Sequence, residues 1–584
     1  MTSSLPLTAP GMQPGTDLLA AGRSLAGDWR LGGNLFLASA GVASEAEYKR
    51  QAMRDGRMMQ HAHIGFRSID RTVDAIRHLH ETADRQGVRI DRFGITLDWS
   101  MGYPPERRAG ASRGTGIVLT GPEDFRRITD ASPAAAHFGD FMLGLPGALH
   151  NTQAALAAGA TAIGNLGQYF TFRLPYWDDD VAMTEATVTA LGLIAAQNAD
   201  ILVHSNLDDG FAGLFLDMTS AFGMMLIEKH IVEDLVGARA SFCFGHHFSR
   251  PLARAAFHAA MAAEVETPGT MLFGNTVAYR GAPAANFASL ASYLLADIVA
   301  LQAAHTGHAI NPVPVTENQR IPDVDEILDA QCFAARLAEH AAGHGQLWDR
   351  PAIDTMAQAL RSGGHRFAAA VLAGLAGRGV DTGDPAALML AIRRLGPKRI
   401  EALWGQGRDD GERRAALIPA DWAEELDAMA DSWVRKAAPD ADALRHLRVV
   451  IGTTDVHEHG AYLVRQALEQ LGVAAVDAGT AVDPEVLVAR ACEEGADAIA
   501  ISTYNGIALT YVRAVRRELA RRGATIAVMA GGKLNQIPED TNSGLPRDVR
   551  EDIRQEGAVP CSGLDDMLAV LRDLSGRGDG GSKT

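Results

Sequence analysis

Short apolar runs alternate with long amphipathic stretches along most of this chain. Between residues 57 and 345 the runs are MMQHAHIGF, RFGITLDWS, DFMLGLPGA, ATAIGNLGQ, DILVHSNLD, ASFCFGHHF, TMLFGNTV and HAINPVPVT. Gly, Pro, Asn or Asp bounds each run, and an Ala-rich segment with helical periodicity follows it. Strands alternating with helices predict βαβ units and a parallel sheet. Eight such units over about 290 residues match a (β/α)8 TIM-type barrel better than an open sheet. Polar residues close these runs: His63, Asp98, His150, Asn165, Asn206, Asp208, His246, His247, Asn275 and Glu317. In a barrel those strand ends form the catalytic face, although Asn and Asp there also cap the next helix.

Residues 346–440 carry helical periodicity, many charges and no clear strand, which predicts a helical connector. Strict alternation returns from Arg445. LRVVIGTT, AAVDAG, AIAIST and TIAVMAGG read as strands, with HGAYLVRQALEQLG, DPEVLVARACEEG and TYVRAVRRELARRG as the helices between them. GAVPCSG then precedes a last helix. This pattern predicts a doubly wound, flavodoxin/Rossmann-like domain over 445–575, with ligands at the carboxyl ends of its strands. An extension over 1–56, Pro/Gly/Ser-rich to residue 20, and a tail over 576–584 (GRGDGGSKT) complete the chain; residues 1–20 and the tail are expected to be mobile or disordered.

Composition narrows the function. Across 584 residues, Lys+Arg is 54 against Asp+Glu 71, a formal charge of −17, which argues against nucleic acid as the main partner. The four cysteines, Cys243, Cys332, Cys492 and Cys561, are scattered and imply no disulfide framework, so a cytoplasmic location is expected. No apolar run of about 18 residues is read as a membrane span, and the start lacks the basic and apolar regions of a secretion signal.

The chemistry concentrates in one turn. Asp455-Val456-His457-Glu458-His459-Gly460 is D-x-H-x-x-G directly after a strand and opening a helix. The third strand of this domain ends in Ser502-Thr503 and the fourth in Gly531-Gly532. A neutral imidazole on such a loop can coordinate a metal, and a carboxylate two residues earlier can hold its other nitrogen. The set resembles the cobalamin-binding domain of base-off/His-on B12 enzymes. The resemblance implies His457 as axial cobalt ligand and Asp455 as its partner. It also implies that Gly460 makes way for the displaced nucleotide tail, with Ser502, Thr503, Gly531 and Gly532 beside that tail. His459 is the competing ligand, and the register with Gly460 favours His457. A histidine pair on an unrelated flavodoxin-like domain is the bland alternative. Cys243, His246 and His247 form C-x-x-H-H, but no second pair lies nearby to complete a zinc site.

In the first half, GLPGALHN, AIGNLGQYFTFRLPYWDD and PVPVTENQRIPD resemble the barrel subunit of glutamate mutase (methylaspartate mutase), as ALMLAIRRLGPKRIEALWG does in outline. The resemblance implies an adenosylcobalamin-dependent radical isomerase with barrel and B12 domain in one chain, and Glu317 holding the adenosyl ribose. The departures concern the substrate. Family arginines that clamp both carboxylates correspond to His63 and Gly102, and the third position falls near 144–149, which contains no Arg. Leu166 stands where a family carboxylate receives the amine. Tyr176 is retained, Phe172 replaces a tyrosine, and Arg173 is a new candidate for one anionic group. Arg forks match carboxylates bidentately, so their loss predicts a small carboxylic acid other than glutamate. A homodimer is expected. The alternative class is a corrinoid methyltransferase or cobalamin carrier, for which 346–440 would be a helical cap; Glu317 discriminates, since methyl transfer does not need it. A B12-binding sensor with a degenerate barrel is the third possibility.

Overall fold

The computed structural model describes residues 6–579 apart from 112, 113, 115, 249, 410–413 and 538–545. The chain divides into two compact units, Met1–Thr171 with Asp178–Asp421, and Phe172–Trp177 with Trp422–Thr584.

The first unit contains β1 (Met59–Ile64), β2 (Arg92–Ile95), β3 (Ala135–His137), β4 (Ala162–Ile163), β5 (Leu202–Asn206), β6 (Arg239–Cys243), β7 (Met271–Leu272) and β8 (Ala309–Ile310). Their ladders run β3-β2-β1-β8-β7 and β4-β5-β6, all parallel. Single parallel bridges link Phe138 to Ile163 and Phe244 to Leu272. Each strand is thus paired in parallel with the next, and the eighth with the first. Parallel neighbours need crossovers, which the helices supply. Helix Ile69–Arg85 shows how: Ser68 caps its start, and Val73, Ile76, Leu79 and Ala83 form one buried stripe.

One expected strand is misplaced. DFMLGLPGA is a turn leading into helix Ala148–Ala157, with Phe141 at φ 59° and Gly144 at φ 75°. The strand is the preceding Ala135–His137, buried throughout. An alanine run reads as helix by propensity, but the five residues between Pro133 and Gly139 are too few to sustain one. The N-terminal region is also not all loose. Helix Gly15–Ser24 buries Leu18 and Leu19, and Gly22 packs so closely that a Cβ would lie 2.0 Å from Thr189 O. In the tail, 576–579 end helix Leu564–Asp579, and 580–584 lie outside the described residues.

Polar groups fill much of this unit's core. Glu45 and Lys49 come from helix Glu45–Arg54; Arg92 Nε meets Glu45 Oε1 at 2.6 Å and Arg92 Nη1 lies 3.0 Å from His61 Nδ1. His137 and His204 stack edge-on at 4.5 Å. The long helix Arg350–Ala376 packs here too, with Gly364 O only 2.7 Å from a Cβ on Gly223. Helix Pro283–Ala303 is apolar and long enough to cross a membrane by length and composition, contrary to the expectation that no such segment exists. Its Leu290, Leu294, Ile298 and Leu301 are buried, and its Asp297 pairs with the buried Arg254 at 2.6 Å.

The second unit is a five-stranded parallel sheet. Its strands are β9 (Arg448–Thr453), β10 (Ala474–Gly479), β11 (Ala498–Thr503), β12 (Ala527–Gly532) and β13 (Val559–Cys561). Their order is β10-β9-β11-β12-β13. Alternate residues face two cores. Val450, Ile499, Ile501 and Val528 meet Leu487, Val512 and Val515 on one side. Val449, Ile451, Ala500 and Met529 meet Trp433, Leu468 and Leu571 on the other. Both faces are covered, as a parallel sheet requires. The strand order reverses between β9 and β11, which places a ligand crevice at their carboxyl ends.

Candidate functional site

Register brings the separated motifs of the second unit into line. Thr453 pairs with Ser502, Ser502 with Gly531, and Thr503 with Gly532, so all three segments leave the same edge of the sheet. Asp455 sits in the first of these loops. Thr454 Oγ1 (2.9 Å) and the N–H groups of His457 (3.0 Å) and Tyr504 (3.2 Å) donate to its carboxylate, and the ring of His457 is held to it through Nδ1. Burial works to raise the Asp455 carboxyl, but the His457 hydrogen bond and charge outweigh it and hold the group below the usual carboxylate range. The imidazole is thereby fixed through one nitrogen, leaving Nε2 for a ligand. His459 is placed differently: its ring stacks on Trp422 at 4.5 Å and 20°.

Around this pair the chain leaves room and unspent polarity. A Cβ on Gly460 would lie 2.6 Å from Ser502 Oγ. Gly532 has φ 93°, and a Cβ there would lie 2.2 Å from Thr503 O. Gly531 is less constrained, its nearest contact being Cys561 O at 3.5 Å. Thr503 Oγ1, Asn505 Oδ1 and Asn535 Oδ1 are buried without hydrogen-bond partners among the described residues. Such orphans are few in native proteins and call for a partner.

A family model for the B12 binding domain matches residues 446–550. The 2-hydroxyisobutanoyl-CoA mutase small subunit of Aquincola tertiaricarbonis is 30% identical over 133 residues, 23% of this chain and 94% of that subunit. The chain belongs to the B12-dependent mutase family. A solved structure of a novel cobalamin-binding protein from Desulfitobacterium hafniense DCB-2 matches at 19% identity, covering 26% of this chain and 70% of its own. Its TM-score of 0.21 is too low to bear on the fold. The residues present fit the cofactor of this B12-dependent family. The glycine cradle and the unpartnered oxygens suit a bulky polar group, and the Asp455–His457 pair suits a metal.

In the first unit, the strand ends carry most of the predicted polar residues, but with unequal roles; His150 lies instead on helix Ala148–Ala157, because its expected strand is a turn. Asp98 caps the turn at Trp99–Gly102 through Ser100 N–H (2.9 Å), the capping role left open above. Asn165 Oδ1 accepts from Gly167 N–H and Asn206 N–H, and Asn165 and Asn206 both donate to Asp209 (3.1 and 2.9 Å). Burial, and then the neighbouring Asp140, push the Asp209 carboxyl well up; Asp140 is raised by burial too. Asp208 accepts from His246 N–H at 2.8 Å, and burial pushes it up to about 6. Asp140 and Asp209 were not among the expected site residues, although the Asp208-Asp209 doublet at a strand end was a visible signal. His246 Nδ1 turns to Gly274 O and Thr276 Oγ1, and among the described residues no His/Cys/Asp/Glu group is arranged for a metal ion.

His63 stands at the end of β1 in contact with Asn311, and burial pushes its imidazole down to about 4, so it is neutral. Glu317 lies in the turn after β8, close enough for its charge to act on Tyr279. Leu166 is fully buried. Arg173 and Tyr176 belong with the second unit instead. There Arg173 Nη2 pairs with Asp483 at 3.1 Å, and the Tyr176 N–H donates to the same carboxylate. The structure therefore does not gather Arg173 and Tyr176 with His63 and Glu317 in one unit. A cation does lie at the stretch that lacks arginine: Arg108 Nη2 would be 3.1 Å from a Cβ on Gly147. It donates to Met101 O (3.0 Å) and Asn151 Oδ1, and its Nε donates to Tyr103 O. Asp98 Oδ2, Asp208 Oδ1, Asn275 Oδ1 and Asn311 Nδ2 are buried without partners among the described residues.

Proposed function

We propose that the second unit binds adenosylcobalamin base-off, with His457 on cobalt. We read the chain as a carbon-skeleton mutase for a small organic acid other than glutamate. The observation that carries this reading is the Asp455–His457 pair beside the Gly460–Ser502 cradle. Asp455 holds the His457 ring by Nδ1 and so sets the direction of Nε2, while Ser502, Thr503, Asn505 and Asn535 offer polar atoms to the nucleotide tail. Adenosylcobalamin, when bound, supplies a weak cobalt–carbon bond as a source of radical chemistry.

We read the first unit as a closed (β/α)8 barrel related to that of glutamate mutase. Supporting this are the parallel pairing of every strand with its successor and the two bridges that join the ladders. The partnerless polar atoms at its carboxyl strand ends support substrate binding there. Glu317 would orient the adenosyl group. With His63 neutral and Gly102 lacking a side chain, a dicarboxylate meets too few cations. Arg108 is better placed than Arg173 to take a single anionic group. An acyl thioester is the second reading of the substrate, favoured by the 30% match to the 2-hydroxyisobutanoyl-CoA mutase subunit.

The test of the cofactor reading is EPR of the Co(II) form with ¹⁵N-histidine in His457→Ala and His459→Ala. Loss of the nitrogen hyperfine coupling in His457→Ala alone is expected. Its loss only in His459→Ala would overturn the ligand assignment.

A further inference from the structure

One residue outside the recognised motifs contacts both Asp455 and His457 and also the lysine that follows Gly531-Gly532. Tyr504 follows Ser502-Thr503. Its main-chain N–H donates to Asp455 Oδ2 at 3.2 Å, and its ring lies 4.2 Å from the His457 ring, tilted by 32°. Lys533 follows Gly531-Gly532. Its N–H donates to Thr503 O at 2.8 Å, and its Nζ sits 3.8 Å from the centroid of the Tyr504 ring. Tyr504 is 39% exposed and the His457 side chain 43% exposed, so core packing does not impose this stack.

We propose that Tyr504, steadied by Lys533, is a positioning residue for His457. The proposal rests on the reading of His457 as the axial ligand. A hydrogen bond at Nδ1 anchors the imidazole at one atom but leaves its plane free to rock. A ring against its face fixes that plane, and with it the direction of Nε2. An ordered ligand loses less freedom on coordination, which raises affinity without a new contact to the cofactor. An ammonium over the tyrosine face holds in place a ring that solvent would otherwise free. Tyr504 thus contacts both members of the Asp–His pair, the carboxylate by its main chain and the imidazole by its ring.

The experiment uses the full-length chain free of cofactor and the probe aquocobinamide, which lacks the nucleotide tail. NMR of ¹³C-histidine-labelled protein, with His457 assigned by His457→Ala, reads the ring-current shift that Tyr504 exerts. Absorbance titration reads affinity. Tyr504→Phe should keep both, since stacking does not need the hydroxyl. Tyr504→Ala should remove the upfield shift and weaken aquocobinamide about three- to tenfold, the range measured for aromatic pairs. Lys533→Met should weaken it about two- to fivefold. An unchanged His457 shift or affinity in Tyr504→Ala, with His457→Ala still impaired, overturns the positioning role alone. Unimpaired binding by His457→Ala overturns the ligand reading beneath it.

Discussion

Replacing Gly460 with alanine tests the proposed nucleotide crevice separately from the proposed cobalt ligand His457. The new Cβ would lie 2.6 Å from Ser502 Oγ, so the hydroxyl must swing away. Gly460 is the second residue of helix His459–Gln470 and is not among the glycines at positive φ. Alanine there gains about 0.4–1 kcal/mol by restricting the unfolded chain. Displacing a serine hydroxyl costs about 0.5–1.5 kcal/mol if its χ1 is forced off a staggered well. The two nearly cancel, and folding stability should change little. Binding should not be spared. One hydrogen bond from Ser502 is worth about 0.5–1.5 kcal/mol, and a methyl in a filled crevice costs about 1–3 kcal/mol. Together these predict a loss of about 10- to 2000-fold in hydroxocobalamin affinity. Aquocobinamide, which has no tail to place, should bind within about twofold of wild type. Absorbance titrations with both corrinoids and a urea unfolding curve make the comparison. Equal loss for both corrinoids, or none for cobalamin, would refute the assignment of this crevice to the tail.

Glu317→Gln should leave cobalamin affinity unchanged and slow turnover, because only positioning hydrogen bonds are lost; equal turnover would remove the reason to prefer a mutase over a methyltransferase. Incubation of the adenosylcobalamin-loaded protein with glutamate or 3-methylaspartate, followed by NMR, should show no interconversion, and rapid exchange would mean other cations replace the missing clamp. Glu228 is buried with Ser205 Oγ at 2.7 Å, and burial pushes its carboxyl up to about 8. The folded state therefore keeps a proton that the unfolded chain gives up near its ordinary pKa of about 4.3. Its contribution to stability is full below that value and is lost as pH rises towards 8. Glu228→Gln should flatten the decline in urea midpoint between pH 5 and 8; an identical decline in the variant would place its origin elsewhere.

Local pattern by itself determined the alternation of strands and helices, the two α/β regions and the strand ends that carry D-x-H-x-x-G, Ser502-Thr503 and Gly531-Gly532. Those features depend on backbone preference and side-chain period within a few residues, and the register of β9, β11 and β12 then lines them up. Tertiary structure alone decided the rest. The third strand is Ala135–His137 because its neighbours bury it, not because alanine favours strands. Glu45, Lys49, Arg92 and His61 come from three separate segments and meet only through packing. The rings of the histidines at 457 and 459 differ in their partners elsewhere in the chain: Trp422 stacks on His459, while Tyr504 lies against His457. Arg173 was expected beside the substrate, yet it pairs with Asp483, more than 300 residues away in sequence. Spacing along a chain records which face a residue shares with its near neighbours; which distant side chain meets it is set by how the elements pack.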